Sequence, residues 1–150
     1  MIIRKAQPAE ASTLVDFNQQ MAFETEGKHL DSETLAKGVN AVFADERKGF
    51  YVVAEDDGKV VGGLMVTFEW SDWRNAWFWW IQSVYIVPNS RGKGIYRLLY
   101  DFVKTHARAE GNVCGFRLYV ERENHNAQKV YERLGMRQPG YLMYEANINE

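Results

Sequence analysis

At 150 residues the chain has room for one domain, and 46% hydrophobic residues supply a packed core without covalent staples. The formal net charge of −2 gives no global drive toward nucleic acid or an anionic membrane surface, so neither is expected as a partner. The single cysteine, Cys114, rules out an intramolecular disulfide, and its setting predicts a small buried side chain in a strand. No apolar stretch reaches membrane-spanning length, and no charged start precedes an apolar run at the N-terminus, which makes a reducing cytoplasm the expected compartment.

Ile2 to Arg4 predict a short first strand. Gln7-Pro8 opens a helix, with proline in the first turn where its missing N–H costs nothing, and Leu14, Phe17 and Met21 form the buried face. Glu24 to His29 is a polar connection. Leu30-Asp31 starts a second helix: Asp31 is a good N-cap and Leu30 with Leu35 has staple spacing. Leu35, Val39, Val42 and Phe43 carry its stripe, and Gly49 closes it. Phe50 to Ala54 and Val60 to Trp70 predict an antiparallel pair around Asp57-Gly58, with Gly62 and Gly63 marking a bulge or close packing. Ser71 to Ala76 is a loop, and Trp77 to Val87 the next strand.

Pro88-Asn89-Ser90 stops that strand, because proline cannot donate to a ladder and Asn and Ser favour turns. Arg91-Gly92-Lys93-Gly94 follows as a basic, glycine-rich turn. Ile95, Leu98, Leu99 and Phe102 then repeat at helical spacing up to Gly111. A strand, a glycine-rich turn and a helix start make an anion site: the backbone N–H groups converge, and Arg91 and Lys93 add full charges. A phosphate or pyrophosphate is expected there. The loop lacks the Gly-Lys-Ser/Thr ending of a nucleotide-triphosphate loop. It also lacks the third glycine of a dinucleotide loop, since position 97 is Arg. Val113 to Val120 alternates as a strand, Asn124 caps a last helix bearing Ala127, Val130, Tyr131 and Leu134, and Tyr141 to Ile148 predicts a final strand.

Arg91, Gly92, Lys93 and Gly94 match the Arg-x-x-Gly-x-Gly/Ala coenzyme A loop of the Gcn5-related N-acetyltransferases (GNAT). Tyr96 stands where the last small residue of that loop usually sits. The segment Asn124 to Met136 resembles the family's Asn-x-x-Ala-x-x-x-Tyr-x-x-x-Gly-Phe pattern, and the order β-α-α-β-β-β-α-β-α-β resembles the family's order. The resemblance implies an α+β fold with a mixed sheet flanked by helices, a single N-acetyltransferase domain over 1–150, and acetyl-CoA as acyl donor, with no metal. Phe68 to Trp73 and the strand ending Val84-Tyr85-Ile86-Val87-Pro88 are similar to the polyamine and thialysine acetyltransferase branch. That branch carries Glu-Asp where this chain has Gln82-Ser83.

The resemblance further implies site residues. Val84, Tyr85 and Ile86 would offer strand backbone to the pantetheine arm, and Gly92, Lys93, Gly94, Ile95, Tyr96 and Arg97 would hold the pyrophosphate beside Arg91. Asn124 and Ala127 belong to the same cofactor set, and Tyr131 is the expected general acid: a phenol of ordinary pKa about 10 stays protonated at neutral pH and can hand its proton to a thiolate. Glu69, Asp72 and Glu24 are the acids available as base, since Gln82 cannot take a proton. His29, His106 and His125 read as structural or solvated. Glu24, Trp70, Asp72, Trp73 and Gln82 are the expected acceptor-side residues, the two tryptophans as pocket walls for a cationic or apolar group. The expected activity is transfer of acetyl to a primary amine of a small molecule in a ternary complex. Acetylation of a protein N-terminus or lysine, and a non-catalytic acyl-CoA-binding regulator, are the alternatives. Aromatic bulk on exposed strands makes a homodimer an expectation.

Overall fold

The computed structural model describes residues 1–150 as two compact units, Met1–Tyr119 and Val120–Glu150. The first holds one five-stranded sheet in the order β1-β2-β3-β4-β5: β1 Ile2–Lys5, β2 Phe50–Asp56, β3 Lys59–Ser71, β4 Ala76–Ile86 and β5 Val113–Arg117. β1 to β4 pair antiparallel and β4 pairs parallel with β5, so the sheet is mixed. Three helices accompany it: α1 Ala11–Glu26, α2 Ser32–Ala44 and α3 Ile95–Glu110.

Alternation along the strands sends side chains to two faces. Tyr51 and Val53 meet Leu14 and Phe17 of α1 and Val39 of α2 on one. Val52, Leu64 and Val66, all but fully buried, point the other way, toward α3 with its sealed Ile95, Leu99 and Val103. Tyr100 of α3 meets Phe116 of β5 edge-on at 5.6 Å there, beside the Phe50–Trp79–Phe68 cluster. The local signals act as the sequence predicts. Asp31 accepts from Thr34 N at 2.9 Å as the cap of α2, and Pro8 opens a short 3-10 turn before α1.

The paired glycines of β3 serve close packing. A Cβ at Gly62 would stand 3.0 Å from the Tyr85 carbonyl oxygen, and one at Gly63 would stand 3.0 Å from that of Val52. Opposite them lies a bulge: Met65 pairs with Gln82 and Gly63 with Tyr85, so Ser83 and Val84 together oppose Leu64. Ser83 takes φ 52°, a left-handed conformation uncommon for a residue with a Cβ.

In the second unit, α4 His125–Arg133 is capped by Asn124, whose side chain accepts from Ala127 N at 3.2 Å. Gly135, at φ 94°, reverses the chain, and Met136 N then bonds back to the Tyr131 carbonyl at 3.0 Å.

Three expectations are corrected. The final strand over Tyr141 to Ile148 does not form: the segment has no ladder partner, and Tyr141, Leu142, Met143, Tyr144 and Ile148 are exposed. Alternation shows what a strand would bury, but a strand exists only when a neighbour takes its hydrogen bonds. β5 stops at Arg117, short of Val120. Cys114 is exposed rather than buried, with its thiol donating to the Trp77 carbonyl at 3.3 Å. It lies on the face of edge strand β5 opposite its neighbours Val113 and Gly115.

Candidate functional site

The turn after β4 has the form of an anion site. Gly92 and Gly94 both take φ 76°, and nothing lies within 4 Å of where a Cβ would stand on either. Any other residue would be strained there and would fill the concavity. Gly94 is the N-cap of α3 and offers no side chain to the first turn, and a helix start directs its first backbone N–H groups outward. Lys93 and Arg97 are exposed at the same end. These donors suit the pyrophosphate of a coenzyme A-type ligand, because an α-helix start already favours negative charge. The side chains of Ile95 and Tyr96 turn inward. Ile95 is sealed, and Tyr96 is buried in a stack with Tyr100 at 6.1 Å, which leaves their backbone for the ligand.

β4 supplies a second element. It pairs with β5 only from Trp77 to Trp80. Beyond that point its β5-side backbone, over Ile81 to Ile86, carries no ladder. The bulge at Ser83-Val84 re-aims this released edge, which includes Val84, Tyr85 and Ile86. The Tyr85 side chain does not join that edge: it packs on Phe17 at 5.3 Å in the α1 core.

Arg91 is engaged elsewhere than in the glycine turn. Its Nε donates to the Ile86 carbonyl at 2.8 Å and its Nη2 to Glu24 Oε2 at 2.8 Å. Tyr85 donates its hydroxyl to the other oxygen, Oε1, at 3.0 Å. The guanidinium, and secondarily the Tyr85 hydroxyl, hold the Glu24 carboxyl below its ordinary value. Burial, with Glu24 adding to it, pushes the Tyr85 phenol up. Next to this network a hollow of about 360 Å³ is lined by Asp16, Phe17, Gln20, Tyr85, Val87 and Pro88.

A second polar group lies farther along β3 and β4. Glu69 accepts from Trp80 Nε1 at 2.7 Å and from Arg117 Nη1 at 3.0 Å. Gln82 donates its amide to Thr67 Oγ1 at 2.8 Å, and Tyr119 stands 6.1 Å from the Trp80 ring. Cross-strand pairing of Thr67 with Trp80 and of Trp80 with Arg117 brings these groups together. Asp72 and Trp73 stay apart, in the tight turn between β3 and β4, where Asp72 accepts from Trp73 N at 2.9 Å. Trp73 is 86% exposed there, and Trp70 leans on Trp77 at 5.0 Å.

In the second unit, Asn124, Ala127 and Tyr131 occupy the cap, first turn and second turn of α4. Burial raises the Tyr131 phenol above its ordinary value, which keeps it protonated. His125 Nε2 lies 3.6 Å from a Glu123 oxygen, and His106 stacks on Phe102 at 4.1 Å.

Sequence reasoning passed over Arg117, Thr67 and Asp16. Alternation places Arg117 on the face opposite Phe116, a readable signal. The pairing of Glu69 with Arg117 joins residues 48 apart and has no local trace.

The acetyltransferase (GNAT) family matches residues 12–136. A possible acetyltransferase from Clostridium difficile 630 is 48% identical and superposes with a TM-score of 0.91, over 98% of this chain and 97% of its own. An uncharacterized N-acetyltransferase of Bacillus subtilis, YhfO, is 24% identical over 99% of this chain and 98% of its own. A predicted acetyltransferase from Clostridium acetobutylicum, solved with acetyl-CoA, shares the fold with a TM-score of 0.79 at 21% identity, over 99% of this chain and 96% of its own. With the phosphate-type turn and the released β4 edge in place, the match over 12–136 fixes the assignment: this chain belongs to the acetyltransferase (GNAT) family.

Proposed function

We propose that the chain, acting as one acetyltransferase domain over 1–150, transfers acetyl from acetyl-CoA to a primary amine of a small cationic molecule. The observation that carries this reading is the open, side-chain-free glycine turn at the start of α3, continuous with a β4 edge that β5 leaves unpaired. The backbone from Gly92 to Arg97 would hold the pyrophosphate, with Lys93 and Arg97 adding charge. The β4 edge at Val84 and Ile86 would bond the pantetheine, and the family's second motif would add Asn124 and Ala127 to the cofactor residues.

In the transfer a C–N bond forms at the acetyl carbonyl, the C–S bond breaks, and the amine gives up a proton. Tyr131 is the proposed acid for the leaving thiolate, a role its raised phenol pKa suits. Two carboxylates are proposed to serve the amine, in different surroundings. Glu24 is held ionised by Arg91 and is the proposed binding charge for the acceptor's ammonium. Glu69 is partly exposed beside Trp80 and is the proposed relay that passes the amine's proton to water. Asp16 and Gln20 precede Glu24 at i, i+4, i+8 spacing on α1 and line the hollow beside Tyr85, which supports a cationic acceptor. The exposed Trp70 and Trp73 support the homodimer reading, which light scattering checks.

A thiol-release assay with acetyl-CoA against polyamines, amino acids, aminosugars and short peptides tests the proposal. Release that depends on a cationic small amine supports it. Release only with peptides moves the acceptor to a protein. Coenzyme A binding with no release from any acceptor favours an acyl-CoA-binding regulator. The amide of Gln82, bonded to Thr67 where a base would otherwise stand, is the observation behind that second reading.

A further inference from the structure

We propose that Arg91 and Glu24 form an exchangeable ion pair that coenzyme A opens, releasing the Glu24 carboxylate to bind the ammonium of the acceptor. This rests on the proposed acetyl transfer and adds a link between its two substrates.

Arg91 is the residue immediately before the glycine cradle, yet its side chain is drawn back to the last turn of α1. It holds two things there. One is the Ile86 carbonyl, at 2.8 Å, which belongs to the β4 edge assigned to the pantetheine. The other is Glu24 Oε2, also at 2.8 Å. A ligand that runs along this edge and places phosphates at Gly92 to Arg97 competes for both. The pair is the kind that yields. Its side chains are 47% and 35% exposed, and partly solvated pairs are weak, whereas a phosphate offers a guanidinium stronger, charge-assisted bonds.

Glu24 does not depend on Arg91 for its position. The Tyr85 hydroxyl holds Oε1 at 3.0 Å, and Tyr85 is fixed in the core against Phe17. When Arg91 leaves, Oε2 loses its partner while the carboxylate stays in place. Tyr85 also lines the 360 Å³ hollow that Asp16 and Gln20 share. The charge near that hollow is therefore masked before the donor arrives and exposed afterwards, which favours an ammonium at the moment transfer becomes possible.

Calorimetry with coenzyme A, which has no acetyl to transfer, tests the pair. Glu24→Gln removes the competitor for Arg91 and should bind coenzyme A about two- to five-fold tighter than the wild type. The same change made in an Arg91→Ala background should leave affinity unaltered, because nothing remains to unlatch. Equal or weaker binding by Glu24→Gln overturns the proposal. Equal tightening in both backgrounds also overturns it, since Glu24 would then act only by repelling phosphate. Wild-type protein that binds no coenzyme A defeats the acetyl-transfer reading itself, a different result from either. Glu24→Ala repeats the comparison without an amide that can hydrogen-bond Arg91.

Discussion

Tyr131 carries the sharpest chemical prediction at the scale of one residue. If its phenol supplies the proton to the leaving thiolate, Tyr131→Phe should lower turnover about 100-fold and leave coenzyme A affinity within about two-fold. Turnover measured where chemistry limits the rate, beside calorimetric affinity, checks both halves. Gly49 carries the structural counterpart. It adopts φ 139°, and a Cβ there would collide with the Val66 carbonyl oxygen, a backbone atom that cannot swing aside. Gly49→Ala should destabilise the fold by about 3 kcal/mol, read as a shifted urea midpoint with unchanged slope. The sequence marks Gly49 only as the end of a helix. The close approach of β3 comes from pairing.

Among the elements, β1 is tied to the 3-10 turn before α1 by charge. Arg4 grips Glu10 through two bonds, at 2.9 and 2.7 Å, and reaches Glu55 of β2 at 2.9 Å. The bond from Arg4 depresses the Glu10 carboxyl below 4.5. A depressed carboxyl stabilises the fold fully above its unfolded pKa, and that stability is lost as pH falls through the lower folded value. Glu10→Gln should therefore cost about 1 kcal/mol at pH 7 and progressively less as the pH falls below about 4. Denaturant titrations across that window should show the two stability curves converging in acid. The bulge in β4 is also an element-scale feature: Ser83 and Val84 against Leu64 change which way the β4 edge faces, and Gly62-Gly63 was the visible half of that arrangement.

For the molecule as a whole, the cradle and edge predict linkage between coenzyme A and stability. A ligand present at 100 times its dissociation constant adds about 2.7 kcal/mol to the state that binds it. For a chain of this length that corresponds to a rise of about 5–10 °C in Tm. Calorimetric scans with and without acetyl-CoA check it, and an unchanged Tm at saturating concentration removes acetyl-CoA as a ligand. The family match over residues 12–136 covers most of the first compact unit and part of the second.

The sequence alone determined the elements whose signals are local. Caps such as Asp31 and Asn124, the Pro88 stop, the Gly92–Gly94 turn and the apolar stripes of α1 and α2 each rest on a few adjacent residues, and all are present in the structure, whereas α3 buries Tyr96, Tyr100 and Val103 and leaves Leu98 of its expected stripe exposed. The phosphate-type turn was legible for the same reason, since its chemistry lies in consecutive backbone. Tertiary structure decided what depends on partners distant in sequence. It turned Arg91 toward Glu24, 67 residues away, instead of into the turn it precedes. It engaged Glu69 with Arg117 and Trp80. It left Tyr141 to Ile148 unpaired despite their alternation. A charge or a strand edge shows in sequence only what it can bond, and the fold determines which group comes within reach.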